Sequence, residues 1–411
     1  MKKKYIFCIC LLIFNMAHAQ TESVYQALTA KASLLHLQKK YKDALKYYEQ
    51  AFAIQNPDAL NAYKAAGVYA LDDNAEQAFY YLKLAIDSGW TEAGWLHSDP
   101  YFNFLRKVQP EQWKAVEQKA FTTEEEYSRH LQLPSLRKEI NTIALTDQQL
   151  RYKRAQTDND SILAVIDRQI NVADLTNLTR AKEIIRQYGW PKISQVGRDG
   201  QNNLWLIVQH ADQDVLFQKE ALRAMEKLKG NLELNMENYA FLYDRVQCNL
   251  NYKQLYGTQV VWIGNGEASA FRPIEKEYLV DKRRGKIGLS PLKIYALAYG
   301  FSYSGVTKQK SDRKDSDYRK RVQSLINLAK GFYIQKDFQK TYDNYNEAST
   351  FLGGMSNVDN FEAAVIFSKI AAVENDQKYK SIALDFLDLL SQRSSNPKKT
   401  SERACFQYPP K

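Results

Sequence analysis

The sequence predicts a mainly α protein in which helical hairpins at both ends flank a mostly helical central domain with one small β-hairpin. Three observations carry that prediction. Small and aromatic residues recur at a 34-residue offset near the start of the chain, and their internal spacing returns near its end. The residues between lose the period but keep long amphipathic runs of helical spacing, such as SILAVIDRQI and VLFQKEALRAMEKLKG. Within that middle region, QLYGTQVVWIGNGEASAFRPIE places β-favouring runs on either side of Gly264-Asn265-Gly266, a tripeptide suited to a tight hairpin turn.

The first residues argue for export. Lys2, Lys3 and Lys4 precede an apolar run from Tyr5 to Phe14, and Ala17-His18-Ala19 supplies a small-x-small cleavage pattern, so residues 1–19 read as a secretory signal peptide. The run is shorter than the roughly 20 residues that span a bilayer, and no later run replaces it, so the chain is not expected to be an integral membrane protein. Cys8 and Cys10 fall inside the signal without the residues that precede an acylated cysteine, so no lipid anchor is expected. The expected location is the periplasm or the outside of the cell. The net charge of +10 falls to +7 once the three signal lysines are removed. This mild basicity admits an acidic envelope polymer as a partner, and export argues against nucleic acid. Cys248 and Cys405 remain, too far apart in sequence for a disulfide framework, and whether they pair is left open.

Ala32, Leu35, Ala44, Tyr48 and Ala51 are matched 34 positions later by Ala66, Tyr69, Ala78, Leu82 and Ala85. In a stacked helical hairpin, small residues sit where helices cross closely and larger ones fill the space beside them. The period and the runs KKYKDALKYYEQAFAIQNP and DDNAEQAFYYLKLAIDSGW resemble tetratricopeptide repeats. Two hairpins expose an apolar end that must be capped. The following stretch, with the turn Ser98-Asp99-Pro100, resembles a closing segment, which sets residues 20–120 as repeats with closing helices; Trp95 and His97 there read as packing residues. The same spacing returns as Ala329, Phe332, Thr341, Tyr345 and Ala348, and a fourth, stretched hairpin is read around Ala371, Ala383, Leu387 and Leu390, so residues 322–392 form the second set. Residues 306–321, highly charged and poor in apolar side chains, read as a linker, and residues 393–411 as a disordered tail.

The central domain, residues 136–301, holds the polar clusters from which a site could be built. His210 is the single histidine there and lies beside Asp212 and Asp214, so it could move a proton with a carboxylate to orient it. Arg245, Arg283 and Arg284 could converge on a carboxylate or phosphate, since a guanidinium makes bidentate contacts with such anions. Gln209 and Gln259 would add neutral hydrogen bonds. The candidate catalytic residues are therefore His210, Asp212 and Asp244, and the candidate ligand-binding residues Gln209, Arg245, Gln259, Asp281, Arg283 and Arg284. The competing reading is structural: His210 buttresses a helix end while Asp244 and the arginines form buried ion pairs. No GxSxG elbow, P-loop or HExxH is present, and no metal site or cofactor is expected. Cys248 reads as a packing residue.

Taken together, Tyr188-Gly189-Trp190, Val196-Gly197, Gln209-His210-Ala211-Asp212, Asp244-Arg245, Tyr256-Gly257-Thr258-Gln259 and Asp281-x-Arg283-Arg284-x-x-x-Gly288-Leu289 resemble an uncharacterised bacterial domain of unknown function over roughly residues 145 to 300. The stretch PIEKEYLV before Asp281 departs from the Asp-Pro turn of that pattern. The resemblance implies no activity. The sequence thus supports an exported repeat protein that binds a protein partner through its repeat helices. The alternative is a hydrolase or transferase on an anionic substrate, using His210 and the arginine cluster.

Overall fold

The computed structural model describes residues 22–264 and 267–394, so the stretch read as a signal peptide, Cys405, and Asn265 and Gly266 of the expected hairpin turn lie outside the described residues. Residues 22–37 form α1, followed by α2 (Tyr41–Ile54), α3 (Ala59–Leu71) and α4 (Ala75–Asp87). The two hairpins reverse in the same way. The first helix of each ends at a left-handed residue, Lys39 or Asp73, both at φ 59°. The next amide then reaches back five positions, Lys40 to the carbonyl of Leu35 and Asn74 to that of Tyr69, each at 2.9 Å. This ending satisfies carbonyls that a helix terminus would otherwise leave bare. Every residue of the 34-residue match is buried except Leu35, which packs partly buried against the same core.

The stack closes through α5 (Ala93–Ser98), α6 (Asn103–Val108) and the longer α7 (Pro110–Arg129). Asp99 fixes the turn between α5 and α6: it accepts from the amide of Tyr101 at 3.0 Å and from the hydroxyl of Tyr63, on α3, at 2.7 Å. His97 is not a packing residue, since its side chain is exposed and pairs with Glu117 at 2.8 Å.

The central core is built by α8 (Pro134–Ala155), α9 (Asp160–Tyr188), α10 (Ile193–Gln209), α11 (Val215–Glu226) and α12 (Met236–Asn249). An antiparallel hairpin follows, β1 (Val260–Gly264) and β2 (Glu267–Phe271), with Val260 opposite Phe271 and bulges that shift the register toward the turn. Two short helices, α13 (Val280–Gly285) and α14 (Leu292–Tyr295), complete the region. Mainly helical structure with one two-stranded sheet is the predicted fold class.

The second pair of hairpins is α15 (Lys308–Ile334) with α16 (Phe338–Thr350), and α17 (Asn357–Glu374) with α18 (Gln377–Ser394). Lys336 at φ 61° and the Asp337-to-Phe332 bond of 2.9 Å repeat the N-terminal turn, and Asn375 at φ 52° ends α17. The stretch read as a linker, 306–321, is helical from Lys308 onward. Thr307 caps it, and Lys308–Asp312 and Arg313–Asp317 are i,i+4 pairs along the helix. Lys314 and Asp315 then bind Glu277 and Lys253 of the central region, so charges that suggested a solvated loop instead dock a helix. Similarly, Arg393, read as the start of a tail, still belongs to α18. Its guanidinium donates to the carbonyls of Leu250 at 2.8 Å and Asn251 at 3.2 Å and lies over the Tyr252 ring.

The N-terminal hairpins join the central domain through Arg137, which is 1% exposed on α8. It donates to Glu124 at 3.0 Å, to Ser128 at 2.8 Å and to the Thr91 carbonyl at 2.7 Å, and pairs with Asp199 at 2.7 Å. Glu92 shares this seam with Asp199, Glu124 and Asn203 but has no guanidinium to itself. Burial, reinforced by the charge on Asp199, pushes its carboxyl up to about 7 from an ordinary 4.5. Such a group favours the folded state while protonated: its contribution is complete below about pH 4.5 and is lost as pH rises through 7. Glu92→Gln is therefore expected to be more stable than the parent at pH 8, by roughly 1–3 kcal/mol, with the difference vanishing toward pH 4.5 in urea titrations.

Candidate functional site

The residues that the sequence grouped by type are divided in space among three places. Asp244, on α12, is fully buried. Its carboxylate accepts from the amides of Leu255 at 2.7 Å, Tyr256 at 3.0 Å and Thr258 at 2.9 Å, and from the Thr258 hydroxyl at 3.0 Å. Burial pushes this carboxyl above the ordinary aspartate range, and the donors pull it back. The loop folded in this way offers its carbonyls to two guanidiniums from α13. Arg283 donates to Leu255 at 2.7 Å and to Glu275 at 2.7 Å, while Arg284 donates to Tyr256 at 2.8 Å and to Ser290 at 2.6 Å and lies over the Tyr295 ring. Asp281 accepts from the amide of Leu292 at the start of α14, and the Gln259 side chain bonds Thr258 at 3.1 Å.

Asp244 and these arginines thus bond main-chain groups rather than one another. The expected buried ion pairs are absent at these residues because the irregular loop 255–258 has main-chain donors and acceptors that no sheet or helix satisfies. Charged side chains inside the fold supply the partners. Gly257, at φ 73°, completes the loop; a Cβ there would come within 2.9 Å of Leu292.

Arg245 faces the other side of α12 and grips Asp212 with two nitrogens, one at 2.7 Å from Oδ1, and Asn249 donates to the same oxygen at 3.0 Å. Burial favours the neutral acid at Asp212, but Arg245 and Asn249 hold its carboxyl below the ordinary range. Gln218, fully buried, ties this pair to the end of α10 by donating to the carbonyls of Val208 and Gln209. Cys248 is buried, which pushes its thiol up to about 12 and fits a packing role.

His210 stands apart from all of these, at the C-terminal end of α10, where its ring lines a cleft of about 390 Å³ with Asn171, Asn177 and Gln213. Two carboxylates from other helices meet it: Asp147 of α8, whose Oδ2 is 3.3 Å from Nδ1 of His210, and Asp174 of α9. Ligand atoms of the three lie within 4.8 Å of one another, a set of donors that could hold a metal ion. Arg151 bridges the carboxylates, 3.0 Å from Asp147 and 2.6 Å from Asp174. Burial raises both acids; at Asp147 the nearby His210 ring and the bonds from Arg151 overcome it and hold the carboxyl low, whereas Asp174 stays above its ordinary value. Gln209 does not line this cleft, and Asp212 turns away to Arg245.

Asp147 and Asp174 escaped the sequence reading, yet a signal was there. On α8 the buried residues Ile140, Ala144 and Asp147 form one stripe, and on α9 Asp174 continues the stripe of Ile166 and Ile170. A carboxylate on each of two core-facing stripes marks a place where helices meet around something polar.

A second open feature lies on the C-terminal hairpins. A groove of about 560 Å³ runs along α15 past Ser324, Leu328, Gly331 and Phe332. The adjoining α17, tied to α15 by Lys330–Glu362 at 2.6 Å, exposes Val358, Phe361 and Val365 at helical spacing.

The model of a family of unknown function (DUF6624) matches residues 134–305, so the central region carries a domain of unknown function that begins at α8. No curated protein and no solved structure matches the chain. No helix among the described residues is long and apolar enough to cross a membrane.

The roles assigned to Asp244 and Gly257 are open to measurement. Asp244→Asn places an NH₂ group among donors and is expected to cost ~2–4 kcal/mol in chemical denaturation. Gly257→Ala, with its strained φ and close approach to Leu292, is expected to cost about 1–3 kcal/mol. Losses below about 0.5 kcal/mol for both would remove the loop from its place in the architecture.

Proposed function

We propose that the protein is an exported interaction protein that binds a protein partner through tetratricopeptide-type helical hairpins, its central domain linking the two sets. The observation that carries this reading is the apolar surface of the C-terminal pair. Val358 is 68% and Phe361 55% exposed on α17, which Lys330–Glu362 ties to α15, and Leu328, 48% exposed, lines the open groove along α15. Large exposed side chains that repeat along one helix face, as Val358, Phe361 and Val365 do, mark an interaction site rather than ordinary surface. The lysine-rich, apolar start of the chain and its Ala-His-Ala motif support export to the periplasm or beyond. An acidic envelope polymer bound by charge would be the weaker competitor.

Catalysis in the central domain is a second reading, favoured by one observation: Asp147, Asp174 and His210 arrive from three helices at one open cleft. The anion clamp of the sequence-level alternative has less support, because Arg283 and Arg284 are engaged by carbonyls and Arg245 by Asp212.

The interaction reading is tested by affinity capture from the envelope fraction with the mature chain and with the Leu328→Asp, Phe361→Asp double variant. Both positions are exposed, so circular dichroism and melting temperature are expected to stay near the parent's. The parent is expected to retain a protein that the variant loses. Retention should survive ~0.5 M salt, where binding of an acidic polymer by charge would fade. Equal retention by both chains would contradict the reading.

A further inference from the structure

We propose that Asp147, Asp174 and His210 form a site for one divalent first-row transition-metal ion, with its open coordination positions facing the cleft. The inference rests on the second reading, that this cleft is a working site of the central domain.

The contact between His210 and Asp147 is the starting point. Nδ1 of His210 is buried and lacks a hydrogen-bond partner, although Oδ2 of Asp147 is only 3.3 Å away. The two atoms are close but not aligned to share a proton. That is the spacing of two ligands on one ion: with metal–nitrogen and metal–oxygen bonds of about 2.1 Å and an angle of about 100°, the ligand atoms stand about 3.2 Å apart. The Asp174 carboxylate completes a set within 4.8 Å. The three groups sit on α8, α9 and the end of α10, so rigid helices rather than a loop fix their positions.

The donor set selects the class of ion. One imidazole with two carboxylates suits manganese, iron or zinc, whereas calcium and magnesium prefer oxygen alone. The side chains of Asn171, Asn177 and Gln213 also line the cleft and can hold water or substrate against the ion. A bound ion there would polarise a water molecule at neutral pH, which supplies the nucleophile that the residues alone lack.

Arg151 decides how the site loads. Its guanidinium is the cation now shared by Asp147 and Asp174, at 3.0 and 2.6 Å, and its side chain is 30% exposed. It can swing outward along the surface of α8, so ion and guanidinium compete for the same pair of carboxylates. Removing that competitor must strengthen ion binding, an effect opposite to the one expected where Arg151 only braces the fold.

The experiment uses the full mature chain stripped with chelator, titrated with Mn²⁺ by electron paramagnetic resonance and with Zn²⁺ by calorimetry. One equivalent is expected to bind. Asp174→Asn and His210→Ala, at partly exposed side chains, should each weaken binding by at least about tenfold, while Arg151→Gln tightens it severalfold. Circular dichroism of each variant confirms that the fold persists. The proposal is overturned if neither the parent nor Arg151→Gln binds either ion, or if binding is indifferent to both Asp174→Asn and His210→Ala. Stoichiometric binding in which water-proton relaxation finds no exchangeable water on the bound Mn²⁺ would uphold the ion site and remove the catalytic reading, which needs a water on the ion.

Discussion

A carboxylate shut away from water must find donors inside the protein, and Asp244 finds four of them in the stretch from Leu255 to Thr258. That stretch belongs to no helix or strand, so no ladder of its own satisfies these amides. Once Asp244 has drawn the amides inward, the carbonyls of Leu255 and Tyr256 turn toward Arg283 and Arg284, which reach them from α13. Gln254, also fully buried, extends the same arrangement to the strand region through the carbonyls of Gln259 and Arg272. The middle of the chain therefore depends on charge and amide groups placed against main chain, where a larger sheet would have used its own ladder.

This use of charge separates architecture from chemistry. Asp244, Arg283, Arg284 and Asp281 are spent on main-chain groups, and Arg245 with Asp212 on each other. Open to solvent are the cleft at His210, reached by carboxylates from two other helices, and the apolar face of the C-terminal hairpins. The same economy governs the seams: Arg137 gathers Glu124 and Asp199 between the N-terminal hairpins and α8, and Arg393 clasps Leu250 and Asn251 from the other end. Buried cations recur as fasteners because one guanidinium satisfies several acceptors at fixed angles.

Much of the fold was legible because helical hairpins are local. The period that joins Ala32 to Ala66, and the internal spacing that returns from Ala329 to Ala348, report which faces pack, and the β-hairpin followed from two strand-like runs around a glycine turn. The linker was misjudged because a charged run looks the same whether its side chains meet water or partners far along the chain; Glu277 and Lys253 are not visible from Lys314 and Asp315. The site was legible only in part. His210 was singled out as the lone central histidine, but its neighbours lie 63 and 36 positions upstream, Asp147 and Asp174. Pairing Asp244 with arginines was a reasonable guess from residue type that failed on geometry, since each found main-chain partners nearer at hand.

The central claim, that a buried carboxylate organises an irregular loop into the core of the central domain, is tested most directly by native-state hydrogen exchange at the amides of Leu255, Tyr256 and Thr258. The account predicts that these amides, though in no helix or strand, exchange as slowly as those of Leu242 and Val246 in α12 and open only with global unfolding. Exchange as fast as that of an exposed turn, with α12 still protected, would show that the loop opens on its own and that Asp244 does not hold it.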